Sequence, residues 1–368
     1  MHYRRFGKTE LDLSVFSLGT MRCLENEEIL HQVLTAAVSQ GINHIETARG
    51  YGQSERYLGQ ALGCFNRSEL VLTTKLLPGS DVDRLVDESL AYLSTDYIDC
   101  LAVHGVNTAA HLQQVDGMMP GLNQVLADGR VRHIGLSTHG SLEVVMAAIA
   151  LPIISFVNLH YYFFNQRNAP AIELAHQRDL GIFIISPADK GGQLYTPPDK
   201  LKQLCQPFDP LLLTYRWLLS DPRITTLSVG PAIPMELDWP LQVADKTAPL
   251  TVVEQQRLER LQTQAAKAVG TEQCQQCYEC LPCPEAINIP EVLRLRNLAI
   301  AYDMRSFGQY RYGMFERAGH WFPGRRGNRC TDCGECLPRC PENLAIPSLL
   351  RDTHERLKGP ERRRLWGD

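Results

Sequence analysis

No stretch of this 368-residue chain reaches about eighteen uninterrupted apolar residues, so no membrane-spanning helix and no membrane insertion is expected. The opening, MHYRRFGKTELDLS, lacks the apolar core of a secretory leader. Neither sign of charge is in excess, since 37 Lys and Arg against 41 Asp and Glu leave a formal net charge of −4. That balance gives no electrostatic case for nucleic acid or for an anionic membrane surface. Cysteine is sparse outside two short runs. Cys23, Cys64, Cys100 and Cys205 are scattered, and they read as small apolar fillers or idle thiols, not as a disulfide framework. A reducing, cytoplasmic setting is the expectation.

What is present is ordinary in bulk and informative in pattern. Hydrophobic residues make up 44% of the chain and charged ones 21%, as in a soluble globular protein with room for one large domain and one small one. Residues 1–265 alternate short β-branched runs with longer amphipathic stretches. Strands are expected at 15–18, 42–45, 70–75, 98–104, 131–137, 156–159, 181–186 and 224–229. Helical spacing of apolar residues marks 26–40, 83–93 and 169–178. Several strands are apolar nearly throughout, as strands covered by helices are. Eight such units predict an α/β fold, a closed (β/α)8 TIM barrel, with an open doubly wound sheet as the competitor. A polar helix from about Thr251 closes this region or links it onward. Residues 266–350 are expected to form a small, mainly helical domain, and 351–368 a polar tail containing Arg362, Arg363 and Arg364.

Eight of the twelve cysteines fall in that small domain. The first run is Cys274, Cys277, Cys280 and Cys283, and the second is Cys330, Cys333, Cys336 and Cys340, each ending before a proline. The second has the spacing C-x2-C-x2-C-x3-C-P, in which a tight turn aims three thiolates at one cubane while the fourth reaches a neighbour. Two [4Fe-4S] clusters and electron transfer are the expectation. The alternatives are zinc, which normally takes paired C-x2-C units separated by a longer loop, or a single cluster with spare ligands. By likeness to two-cluster ferredoxins, Cys274, Cys277, Cys280 and Cys340 would serve one cluster. Cys330, Cys333, Cys336 and Cys283 would serve the other.

In a TIM barrel the chemistry sits at the C-terminal ends of the strands. Glu46 follows the second expected strand, Lys75 ends the third and His104 the fourth. The segment after Glu46 reads ETARGYGQSE, which resembles the aldo/keto reductase motif Asp-Thr-Ala-x-x-Tyr-Gly-x-Ser-Glu. The openings at 4–9 and 17–20, Thr74-Lys75, residues 99–104 and residues 129–137 are similar too, and the cysteine module resembles the branch of that family with a C-terminal ferredoxin-type domain. The resemblance implies that Tyr51 is the general acid, that Lys75 lowers its pKa, that Glu46 holds the lysine and that His104 orients the carbonyl. A phenol near pKa 10 needs such a cation to shuttle protons at neutral pH. Glu46 departs from the family aspartate by one methylene. The bland alternative is a core ion pair with reductase chemistry weakened or lost.

The same resemblance implies NADP(H). Ser137 would hold the nicotinamide amide with Asn158 in place of the usual glutamine, and the loop Ser186 to Gly192, with Lys190 and Gly191, would cover the diphosphate. Gly230 would open the adenosine end. There Trp239 and Pro240 replace the family's polar pair, and no Lys or Arg occurs from Ser228 to Ala244 to hold a 2′-phosphate. Trp239 would either stack on adenine or fill the pocket. Hydride moves two electrons and a cubane one, so a direct exchange between them asks for an intermediary, and a flavin is not excluded. The leading expectation is an iron–sulfur oxidoreductase acting on a small-molecule redox substrate, either a carbonyl or an alcohol. The alternative is a non-reductase that docks a ferredoxin-like or other electron-transfer protein through a degenerate barrel.

Overall fold

The computed structural model describes residues 1–359, so Arg362, Arg363 and Arg364 of the expected tail lie outside the described residues. The chain begins with β1 (Tyr3–Arg5) and β2 (Asp12–Ser14), a short antiparallel pair. Then come β3 (Phe16–Gly19), α1 (Glu27–Ser39), β4 (His44–Glu46), α2 (Ser54–Leu62), β5 (Val71–Leu76) and α3 (Val82–Leu93). The alternation continues through β6 (Ile98–Val103), α4 (Ala109–Ala127), β7 (Val131–Ser137), α5 (Leu142–Ile149), β8 (Phe156–Leu159), α6 (Ala169–Gln177) and β9 (Gly181–Ile184). After α7 (Asp199–Cys205) and α8 (Pro210–Leu219), β10 (Thr226–Val229) pairs with both β9 and β3. The eight strands β3 to β10 form one closed, parallel barrel, the architecture expected from the sequence.

The chain divides into two compact units, 1–191 with 214–249, and 192–213 with 250 onward. The first holds every barrel strand. The second holds α7, α9 (Val252–Val269), α10 (Ile289–Tyr302), α11 (Arg305–Met314) and α12 (Ile346–Leu357), a mainly helical body. α9 starts with a reciprocal cap, in which the Glu254 N–H donates to Thr251 Oγ1 and the Thr251 N–H donates to Glu254 Oε2 at 2.7 Å. α10 packs on α9, α11 and α12. Its Tyr302 hydroxyl donates to Leu261 O on α9 at 2.7 Å. No helix among the described residues is long and apolar enough to cross a membrane.

The β1–β2 pair, unforeseen in the sequence, places Phe6 against Phe156 and Phe183 at the amino-terminal end of the barrel. Gly7 turns the chain there at φ +53, and a Cβ on it would lie 2.4 Å from the backbone of Gly181 and Leu180. Above this apolar floor the filling turns polar. Ser17 Oγ lies 2.6 Å from His44 Nδ1 and 2.7 Å from Thr226 Oγ1, while His44 Nε2 lies 2.8 Å from Thr73 Oγ1. These four side chains tie β10, β3, β4 and β5 together two or three residues below the strand ends. Branched aliphatic residues usually fill that space.

His44 is fully buried, and desolvation, with the Lys75 charge nearby, depresses its pKa from 6.5 to about 3. Between those values the unfolded chain takes up a proton that the folded chain refuses. Stability present above pH 6.5 is therefore lost as pH falls toward 3, at about 1.4 kcal/mol per pH unit. In urea unfolding from pH 7 to pH 4, His44→Gln should flatten this fall relative to the parent chain. Parallel profiles for the two proteins would show that His44 does not carry it.

Candidate active site

Lys75 stands at the centre. It is almost wholly buried on β5, and its ammonium has three acceptors: Glu46 Oε1 at 2.8 Å, Thr47 O at 2.8 Å and Tyr51 Oη at 3.3 Å. An ammonium carries three protons, so this set satisfies it completely. Burial alone would push the Lys75 pKa down, but Glu46 and Tyr51 more than offset that, and the net direction is upward. The residue is a cation at neutral pH. Tyr51 is half-buried. Burial raises its pKa, and Lys75 opposes the rise by favouring the phenolate. The resting phenol thus keeps its proton, with a cation placed where negative charge would develop.

The loop carrying Tyr51 is stapled from both sides. The Arg49 N–H donates to Lys75 O, the Tyr51 N–H to Ala48 O at 2.9 Å and the Ser54 N–H to Tyr51 O at 3.0 Å. Buried Ser54 Oγ lies 2.6 Å from Thr20 Oγ1 and accepts from Thr47 Oγ1 at 2.7 Å. Glu55, the last residue of the motif, accepts from Thr74 Oγ1 at 2.6 Å and pairs with Arg49 at 3.0 Å. Almost every polar residue in ETARGYGQSE therefore fixes either Lys75 or the loop that presents Tyr51.

The longer Glu46 is accommodated. Its carboxylate reaches Lys75 and also accepts from Asn158 Nδ2 at 3.2 Å across the barrel. Gly19 lies beside this carboxylate, where a Cβ would be in ordinary contact with Glu46 Oε2 at 3.8 Å but tight against Ser228 Oγ at 3.1 Å. His104, just beyond β6, sets its ring at 80° to that of Tyr51, with centroids 5.7 Å apart. Next to it, Gly105 N–H donates to Ser137 Oγ at 2.9 Å. Ser137 and Asn158 are register partners on β7 and β8. The structure thus brings Glu46, Tyr51, Lys75, His104, Ser137 and Asn158 to one sector of the rim.

The other predicted contacts lie further round. Ser186 has φ +51, and its carbonyl accepts from Lys190 N–H at 3.0 Å. Gly191 closes this turn, where a Cβ would lie 1.9 Å from Pro187 O. Gly230 O accepts from Arg22 Nη1 at 2.8 Å, and Arg22 also pairs with Glu236 at 2.9 Å. The loop after β3 therefore supplies the cation missing from 228–244, already bound to a carboxylate. Trp239 is 48% exposed, so it does not fill a pocket. Sequence reasoning missed Arg22, and it missed His44, His139, His160 and Tyr162. Arg22 follows no periodic run, and the histidines lie within or just past apolar strands, so no sequence signal set them apart.

In the second unit, Cys274, Cys277, Cys280 and Cys340 line one cavity, and Cys283, Cys330, Cys333 and Cys336 line another. All twelve cysteines are free thiols. Burial raises the pKa of Cys274 and Cys336, and pushes Cys280 up to about 12, which favours neutral thiols. Among the described residues, no three His, Cys, Asp or Glu side chains converge where they could hold a metal ion. The expectation of two [4Fe-4S] clusters is corrected on that finding. The metal-binding role, the electron transfer and the placement in an iron–sulfur branch that rested on the clusters are corrected with it.

The family model described as "Aldo/keto reductase family" matches residues 16–262, and the one described as "4Fe-4S dicluster domain" matches 273–345. The uncharacterized oxidoreductase YqkF of Bacillus subtilis is 24% identical over 219 residues, which cover 55% of this chain and 70% of that protein. Norsolorinic acid reductase B of Dothistroma septosporum is 30% identical over 168 residues, covering 37% of this chain and only 42% of that protein. Among solved structures, aldo-keto reductase AKR11C1 of Bacillus halodurans in its holo form aligns with a TM-score of 0.63 at 21% identity, over 71% of this chain and 96% of that one. At that identity the likeness speaks for the fold. A family model spanning most of the chain, over a barrel with this rim, leads to one conclusion: the chain belongs to the aldo/keto reductase family and is an oxidoreductase of that type.

Proposed function

We propose that the chain interconverts a small carbonyl compound and its alcohol, with Tyr51 as the group that gives and takes the proton. One observation carries this reading: the Lys75 ammonium is held 3.3 Å from the Tyr51 hydroxyl by a carboxylate at 2.8 Å. In reduction the phenol protonates the carbonyl oxygen, and the phenolate left behind faces a cation that needs no reorientation. His104, edge-on to the Tyr51 ring, borders the space where that oxygen would lie.

A nicotinamide dinucleotide, a general feature of the family, supplies the hydride when bound. The rim offers its carboxamide a matching pair of partners. Asn158 Oδ1 is buried with no hydrogen-bond donor, and Ser137 Oγ accepts from Gly105 while its own proton remains to be given. An amide NH2 and an amide oxygen would satisfy the two. The adenosine end is less suited to a 2′-phosphate, because Arg22 is already engaged by Glu236. Twelve unpaired thiols favour a reducing, cytoplasmic setting.

Tyr51→Phe keeps the ring and removes the proton. It should lower kcat for carbonyl reduction by at least about 10²-fold, while nicotinamide binding, followed by fluorescence, stays near the parent value. Undiminished turnover would remove Tyr51 from the chemistry. Glu46→Gln leaves the buried ammonium without its counter-charge, so a loss of about 3–5 kcal/mol in urea unfolding is expected, together with reduced turnover. Glu46→Asp, which keeps the charge, should cost less on both measures. Equal effects of the two substitutions would mean that the charge of Glu46 is not what holds Lys75.

A further inference from the structure

Glu46 and Asn158 meet across the full width of the barrel. In the closed order of strands, three strands lie between β4 and β8 on either side, so the two residues stand diametrically opposed. Their side chains nonetheless touch, with Asn158 Nδ2 donating to Glu46 Oε1 at 3.2 Å. Both residues are buried, Asn158 completely. Charge sets the orientation of the amide, because its oxygen turned toward the carboxylate would bring two acceptors together. Nδ2 therefore faces Glu46, and Asn158 Oδ1 is left buried without a donor.

The oxygen that Asn158 reaches is the one that holds the lysine. Glu46 Oε1 lies 2.8 Å from Lys75 Nζ, and Lys75 Nζ donates to Tyr51 Oη at 3.3 Å. One carboxylate oxygen has room for two donors, and Lys75 and Asn158 fill it. The span between β4 and β8 is set by strand pairing all round the barrel, so the two side chains must divide a fixed reach. Against the pattern that the chain resembles, Glu46 is one methylene longer than aspartate and Asn158 one methylene shorter than glutamine. The exchange keeps the summed reach and moves the contact one methylene toward β8. An amide at that point stops the longer carboxylate from turning away from Lys75.

We propose that Asn158 is a positioning residue for proton transfer, spanning the barrel to hold Glu46 and, through Glu46, the Lys75–Tyr51 pair. The inference rests on the carbonyl-reductase reading above, and it gives Asn158 a role on the proton side of the site besides its carboxamide contact. Glu46 and Asn158 form a length-matched pair, so each tolerates a change in length only when the other changes in the opposite sense.

A reciprocal exchange in the full-length protein tests this. Glu46→Asp opens the contact by a methylene, Asn158→Gln over-fills it, and the two together restore the summed reach. Each single substitution should lower kcat/KM for benzaldehyde with NADH or NADPH by about tenfold. The double variant should return to within about threefold of the parent. Urea midpoints should follow the same order. A double variant that carries the two losses combined, in either measurement, overturns the inference. Asn158→Leu keeps the bulk and removes the donor, so it reports even if Asn158→Gln does not fold. With carbon-13 at the hydroxyl-bearing ring carbon of tyrosine, the Tyr51 resonance is identified by its loss in Tyr51→Phe. That resonance should move in ligand-free Asn158→Leu. A residue that only packs the barrel, or only binds cofactor, would leave it in place, and that result overturns the positioning role. No turnover by the parent counts against the reductase reading and not against the pair, which the urea and resonance comparisons then decide.

Discussion

A single buried ammonium organises the rim. Lys75 cannot remain charged inside a barrel unless each of its protons finds an acceptor, and the three acceptors come from three different kinds of group. Glu46 gives the counter-charge, Thr47 a backbone carbonyl and Tyr51 a phenol oxygen. Because all three lie within six residues of one another, satisfying the lysine also fixes the path of the loop after β4. The phenol is positioned as a by-product of solving a desolvation problem.

The solution reaches outward in layers. Glu46 is held from the far side by Asn158. One layer below, the Thr226–Ser17–His44–Thr73 chain sets the spacing of the strands that carry Gly19, Glu46 and Lys75. A barrel filled only with branched aliphatics would hold those strands by shape alone. Here directional bonds hold them, which suits a site whose acceptor distances must be kept within a few tenths of an ångström.

The barrel was legible because its strands are apolar runs set off by turn residues, and three of the four catalytic candidates end or follow such a run. Glu46, Lys75 and His104 could be placed on the rim from that pattern, and Tyr51 from the motif. Contacts between distant parts of the chain were not legible. Asn158 and Glu46 are 112 residues apart, and Arg22 and Glu236 are 214 apart, so nothing local announces either contact. The β1–β2 pair escaped notice because three-residue strands are too short for a period to show. The cysteine runs mark the opposite limit. Their spacing reports which thiols are neighbours in the chain, but convergence on one ion is a property of three dimensions, and on that point the expectation failed.

The floor made by Phe6 has a consequence for traffic. With Phe6, Phe156 and Phe183 packed across the lower end and side chains filling the cylinder above, nothing threads through the barrel. Every molecule that meets Tyr51 must come in and go out over the same lip. Two ligands that share one doorway have to queue, and whichever lies deeper is trapped until the shallower one has gone.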